Sequence, residues 1–244
     1  MTLYCVGLGP GGGRDLTERA RDVLASVDLI VGYTTYVSLV RDQFAQAEFA
    51  CTGMRGERER CAYALEQAVA GRSVAVVCSG DPGVYGMAGL LLELAPAYGD
   101  VQIEVVPGVS AALGGAALLG APLMHDWCTI SLSDLLTPWE TIRDRLEAAA
   151  LAGFVICLYN PASRGRKDYL ARACDVLLRH LNPNTVCGLV RNVGREGETC
   201  RVLTLRELRD APADMRSCAF VGNVTTRVVD GRMVTPRGYP GEGA

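Results

Sequence analysis

Lysine is all but missing from this chain: Lys167 is the only one, and arginine carries nearly all the positive charge. With 24 basic against 27 acidic residues the formal net charge is −3, which excludes a general grip on nucleic acid. Arginine's planar fork holds a carboxylate through two bonds. The bias therefore fits an anionic ligand, although a GC-rich coding sequence would produce it too. No glycine turn is followed by Gly-Lys-Ser or Gly-Lys-Thr, so there is no P-loop. No GxSxG elbow is present, which removes the common hydrolase nucleophile. Ten cysteines stand at 5, 51, 61, 78, 128, 157, 174, 187, 200 and 218, yet no two have CxxC spacing. That argues against a zinc or iron–sulfur site of local spacing, and no metal is expected. Most of these thiols sit in apolar stretches and read as small buried residues in a reducing cytoplasm. No basic and apolar leader opens the sequence, and no run is long and apolar enough to cross a membrane. Residues 113–119 are greasy, but the run is short and broken by glycine.

What is present is glycine, 28 of 244 residues, in a chain 49% hydrophobic. That is enough for one large domain or two small ones. The stretch the rest is arranged around is VAVVCSGDPGVYG, residues 74–86. It opens as an apolar, β-branched run, the pattern of a strand buried on both faces. It breaks at Ser79-Gly80-Asp81-Pro82-Gly83, where glycine and proline fix a turn, and then turns helical. A glycine turn at the carboxyl end of a buried strand is where open α/β sheets bind ligands. Asp81 there either accepts hydrogen bonds from a ligand or caps the next helix.

Similar strand, turn and helix patterns precede and follow. Strands are expected over 2–6, 28–31, 74–78 and 101–106, and helices from Asp15 (N-cap, with Glu18 three residues on), over 57–70, from 86 to about 95, and from 110 to 119. In the helix over 57–70, Cys61, Ala64, Leu65 and Ala68 share one face. Gly120-Ala121-Pro122 is the linker candidate. Beyond it, strands are expected over 128–132, 154–159, 185–190, 199–203, 218–221 and 228–234, with helices over 139–150, 167–180 and 205–209. The fold class is therefore α/β in two domains: residues 1–121 with a mainly parallel sheet, and 122–244 as an α+β domain with a mixed sheet.

GLGPGG at 7–12 satisfies the dinucleotide fingerprint. A nicotinamide enzyme also needs an acidic residue at the end of the second strand, and Gly32-Tyr33 stands there. Pro10 removes a backbone N–H from the same turn. Of the two histidines, His180 ends a helix, where a cation suits the dipole. His125, beside Asp126 at the domain junction, is either an acid–base group or a hydrogen-bonded structural one. Several glycine turns with no obvious nucleophile suit a reaction whose difficult part a cofactor carries, such as methyl transfer from S-adenosylmethionine. A ligand-binding module without catalysis is the third reading.

VGLGPGGG, SGDPGVYG, VVPGVSAA and LYNPAS occur in the order seen in the tetrapyrrole methylases, and the chain resembles that family over nearly its whole length. VGYTTYV (31–37), TGMRGE (52–57), MHDWCTISLSDLLTPWE (124–140), CLYNPASRGR (157–166) and VRNVGREGE (190–198) resemble one branch of it. That branch methylates a ring carbon and contracts the macrocycle on the way to cobalamin. The resemblance implies two α/β domains, a homodimer, and S-adenosylmethionine in the cleft between the domains. Carried over by position, Pro10, Ser79, Gly80, Asp81, Val84, Ser110 and Ala111 line the cofactor, joined by Leu158, Tyr159, Asn192 and Val193. The first glycine turn, with Gly9 and Gly11, faces the tetrapyrrole. The substrate carries many carboxylates, for which Arg14, Arg55, Arg58, Arg164, Arg166 and Arg191 are the candidate partners. Ring contraction moves protons, and His125, Tyr33 and Glu57 are the acid–base candidates. Tyr33 falls near a carboxylate proposed as base in the related uroporphyrinogen enzyme.

Overall fold

The computed structural model describes residues 2–11, 13–163 and 165–239. The chain divides into two compact units, Met1–Ala111 and Ala112–Ala244.

The first unit alternates strand and helix: β1 (Thr2–Gly7), α1 (Glu18–Ser26), β2 (Leu29–Tyr33), α2 (Thr34–Val37), β3 (Glu48–Thr52), α3 (Glu57–Val69), β4 (Val74–Cys78), α4 (Ala88–Leu94) and β5 (Gln102–Val106). The sheet order is β3-β2-β4-β1-β5, and every pair is parallel. A parallel sheet needs cover on both faces, and β4 is buried at all five positions. Its residues alternate between two cores. Val74, Val76 and Cys78 pack with Leu3, Cys5, Leu29 and Val31 against α3 and α4. Ala75 and Val77 pack with Val6, Ile30 and Val106 against α1 and the segment after α2. The stripe Cys61, Ala64, Leu65 and Ala68 lies on the first of these cores. Burying one leucine of this kind contributes about 1.5–3 kcal/mol. The helices that follow β1 and β4, two neighbouring strands, leave on opposite faces. The carboxyl ends of β1 and β4 therefore form the topological switch point of the sheet.

The second unit holds α5 (Ala111–Leu119), β6 (Gly120–Ala121), β7 (Trp127–Ser131), α6 (Trp139–Leu151), β8 (Val155–Tyr159), α7 (Tyr169–Leu177), β9 (Val186–Arg191), β10 (Thr199–Thr204), α8 (Leu205–Arg209), β11 (Ser217–Val221), β12 (Arg227–Val229) and β13 (Arg232–Val234). Its main sheet runs β10-β9-β11-β8-β7. Only β7 and β8 pair in parallel, so the sheet is mixed. α6, α7 and α8 cover one face. α5 covers the other through Ala112, Ala116 and Leu119 against Cys157, Val190, Cys218 and Phe220.

Five features differ from the pattern reading. Thr17, not Asp15, caps α1, accepting a bond from the Ala20 N–H at 3.1 Å. Asp15 instead accepts a bond from the Gly11 N–H at 3.2 Å, which draws it into the glycine turn. β3 has no counterpart among the expected strands, because its residues are exposed or only partly buried at this sheet edge and show no apolar run. Gly120-Ala121 is not free linker, because β6 pairs with β13. The single strand expected over 228–234 is a hairpin, turned at Asp230-Gly231, both with positive φ. The boundary between the compact units lies at 111/112, ahead of the 121/122 division drawn from the sequence, because α5 packs on the second sheet.

Candidate active site

At the switch point the turns after β1 and β4 are locked backbone to backbone, and the turn after β5 packs against them. The Leu8 N–H donates to Cys78 O (2.8 Å), and Gly9 and Gly80 exchange N–H···O bonds of 3.1 and 2.8 Å. A Cβ at Gly7 would lie 2.6 Å from Gly108 N, and one at Gly108 would lie 2.3 Å from Gly80 O. Only hydrogen fits there, so the three turns meet where no side chain can separate them.

Asp81 ties this assembly together. Its Oδ1 accepts the Gly83 N–H at 2.8 Å within its own turn, and its Oδ2 accepts the Gly108 N–H at 3.0 Å across to the turn after β5. The helix-cap reading is thereby excluded: α4 begins at Ala88, and its N-cap is Met87. Gly80 lies beside Ser110 and Ala111, with a built Cβ 3.7 Å from Ser110 Cα and Ala111 N. Gly9, Gly80, Asp81, Ser110 and Ala111 are thus brought together, with Pro10 and Ser79 adjoining in sequence. Pro10, Gly80 and Ser110 are buried, and Val84 lies open on the rim of the β4 turn.

The remaining candidates of the first unit stand at its turns. Tyr33 ends β2, pairs with Thr52 in β3 and makes an edge-to-face contact with Tyr36 at 5.2 Å. Glu57 opens α3, with its side chain exposed, as are those of Arg14, Arg55 and Arg58. Arg55 holds a left-handed φ of 68°. Arg60, which the sequence reading passed over, is buried. The signal was available: an arginine interrupts the apolar stripe that continues at 61, 64, 65 and 68. Beneath the turns, the hydrogen bond from Cys5 holds the Cys78 thiol below its ordinary range, while burial pushes Cys61 up to about 12. Among the described residues no group of histidine, cysteine and acidic side chains could hold a metal.

In the second unit Leu158 is fully buried and the Tyr159 hydroxyl accepts the Ala112 N–H at 2.8 Å, fixing the start of α5. Asn160 and Asn192 follow β8 and β9 in left-handed conformations, with φ of 54° and 53°. Asn192 is buried beside Val193. Its Nδ2 donates to Gly197 O at 3.3 Å, and its Oδ1 has no hydrogen-bond partner among the described residues. A buried acceptor left unpaired costs about 1–3 kcal/mol, so Asn192 Oδ1 calls for a donor.

Two of the arginines offered to the substrate are engaged within the protein. Arg166 donates to Ser133 Oγ (2.7 Å), Asp134 (3.2 Å) and Ser163 Oγ (3.1 Å). Arg191 pairs with Asp214 at 2.8 Å. Arg164 lies outside the described residues. The Tyr169 hydroxyl and then the Arg166 guanidinium hold Asp134 below the usual carboxylate range. Asp214 is also lowered: burial opposes this, but the Arg216 N–H, Arg191 and the Ser217 hydroxyl outweigh it. His125 is exposed, and its Nδ1 accepts the Asp126 N–H at 2.9 Å.

Parallel-sheet turns interlocked through glycine, paired with a second mixed α/β unit, define a class. Residues 2–209 match the family described as tetrapyrrole (corrin/porphyrin) methylases, and the chain belongs to it. Among curated relatives, the probable cobalt-factor III C(17)-methyltransferase of Salmonella typhimurium is 49% identical over 238 residues, covering 97% of this chain and 99% of that one. The precorrin-3B C(17)-methyltransferase of a Sinorhizobium species is 42% identical over 250 residues, covering 98% of each. The crystal structure of the methyltransferase CobJ superposes with a TM-score of 0.88 at 38% identity, covering 96% of this chain and 99% of that one.

Proposed function

We propose that this protein transfers a methyl group from S-adenosylmethionine to C17 of precorrin-3B or its cobalt-loaded form, with contraction of the ring to precorrin-4, in cobalamin biosynthesis. The observation that carries the reading is near full-length identity with two relatives named for that position, 49% and 42%. The nicotinamide alternative has lost its ground. β2 ends in Gly32-Tyr33 with no ribose-binding acid, and the glycine turn is zipped onto the β4 turn by its own N–H and C=O groups.

The residues present fit the cofactor chemically. Its adenine amine and ribose hydroxyls are donors, and Asn192 Oδ1, without a partner among the described residues, is an acceptor of the matching kind. The backbone cradle at Gly80, Ser110 and Ala111 admits close approach, and Asp81 holds it in shape. When bound, the cofactor supplies an activated methyl on a sulfonium, so the chain needs no nucleophile of its own. The protein's work is alignment: rigid turns fix the donor, and arginines hold the acidic substituents of the macrocycle. Arg14, Arg55 and Arg58 keep their side chains exposed for that role, whereas Arg166 and Arg191 would have to exchange an internal partner for it. Proton movement during contraction is assigned to Tyr33, Glu57 or His125. A cytoplasmic homodimer completes the reading. The open Leu135 and Leu136, 62% and 98% exposed, support a subunit contact that light scattering would test.

The deciding assay supplies S-adenosylmethionine with precorrin-3B, with cobalt-factor III and, as rival substrate, with precorrin-4. Methyl incorporation on either of the first two and none on precorrin-4 is the expected result. Methylation of precorrin-4 alone would make this the C11 enzyme.

A further inference from the structure

Arg60 is the only charged side chain among the described residues that is over nine-tenths buried, at 4% exposure. It has no carboxylate partner among them. Its Nε donates to Thr52 Oγ1 at 2.8 Å, its Nη2 to Gly53 O at 3.1 Å, and its Nη1 to Met87 Sδ at 3.7 Å. The first two acceptors begin the turn after β3. The third closes the turn after β4, one residue before α4. One guanidinium thus bolts together two turns at the carboxyl edge of the parallel sheet.

A buried cation with no carboxylate partner is a poor way to gain stability. Apolar residues of similar volume usually serve as well or better. Its presence calls for another account, and the turn it holds supplies one. Between Gly53 and α3 stands Arg55, exposed and in a left-handed conformation, which costs a non-glycine residue about 1–2 kcal/mol. Such a conformation persists only where its surroundings enforce it. Thr52 and Gly53, the two residues that lead into it, are those Arg60 grips.

We propose that Arg60 is a positioning residue for the anionic substrate: it sets the 53–56 turn so that Arg55 meets a carboxylate of the macrocycle. This rests on the substrate class proposed above. Arg60→Lys keeps the charge but replaces the fork with a single ammonium, which cannot grip Thr52 Oγ1 and Gly53 O together in the same geometry. Thr52→Val removes one acceptor and leaves Arg60 in place, so the question stays answerable if Arg60→Lys does not fold.

The experiment measures kcat and KM on precorrin-3B and cobalt-factor III, and S-adenosylhomocysteine affinity by calorimetry. Both variants are expected to raise substrate KM about tenfold, with kcat and product affinity within about twofold. Arg55→Ala should show the same rise, and adding Arg60→Lys to it should bring little more, because one residue acts through the other. Unmoved KM in both variants overturns the proposal. So does a parallel fall in kcat, substrate affinity and product affinity, or full additivity with Arg55→Ala; either would make Arg60 a bolt for the fold alone. A wild-type enzyme that methylates neither macrocycle refutes the functional reading and this assignment with it. An active wild type with unchanged variants refutes the role of Arg60 only.

Discussion

Asp81 shows how one side chain can hold two turns at once. Each of its oxygens accepts a backbone N–H, one in its own turn and one in the turn after β5. A hydrogen bond contributes about 0.5–1.5 kcal/mol, and here the two restrain two loops rather than a core. Asp81→Ala should therefore free the 107–110 turn more than it unfolds the protein. The expected result is S-adenosylhomocysteine affinity reduced about tenfold or more, with faster hydrogen exchange at the Gly83 and Gly108 amides. Unchanged exchange at Gly108 would show that the cross-turn bond is not what holds the loop.

Between elements, contact distance decides more than propensity. α5 is rich in small residues, and Gly115 lies where a Cβ would come within 2.8 Å of Val190 Cγ2 and 3.0 Å of the Phe220 ring. Glycine in a helix costs about 1 kcal/mol against alanine, yet a larger residue here must push β9 and β11 away. Gly115→Val should destabilise the protein by about 1–3 kcal/mol, read as a lower denaturant midpoint. A midpoint equal to wild type would mean that α5 can lift off the sheet at no cost. The loops after β7 and β8 are joined differently, by Asp134 with Arg166 and Tyr169. Asp134 has a folded pKa below its unfolded value. Its stabilisation is complete above the unfolded value of about 3.9 and fades as pH falls through the folded one. Asp214 has the same sign. Asp134→Asn should lower stability at neutral pH and flatten the decline below about pH 4, as followed by urea titrations at several pH values. A decline as steep as in wild type would remove Asp134 from the acid response.

For the whole molecule the prediction is one of linkage. A ligand bound only by the folded state stabilises it by RT ln(1 + [L]/Kd), about 2.7 kcal/mol at a hundredfold excess over Kd. S-adenosylhomocysteine at that excess should raise the melting temperature by several degrees, and NAD should leave it unchanged. The reverse order would revive the nicotinamide reading and end the methyltransferase one.

Residue order by itself determined the elements that bury a continuous face. VAVVC is a strand because water must be kept from both sides of it, and the stripe through Cys61, Ala64, Leu65 and Ala68 is a helix because 3.6-residue spacing gathers it on one side. The motifs also determined the family, since turns built on glycine and proline tolerate few alternatives. Tertiary structure alone decided the rest, for reasons local pattern does not carry. β3 owes its existence to hydrogen bonds offered by β2, and its own apolar content is slight. Thr17 displaces Asp15 as cap because Gly11 has claimed the carboxylate. Asp81 reaches Gly108, and Arg60 reaches Met87, each across 27 positions of sequence. Partners so distant in the chain become neighbours only when a parallel sheet brings its strand ends to one edge.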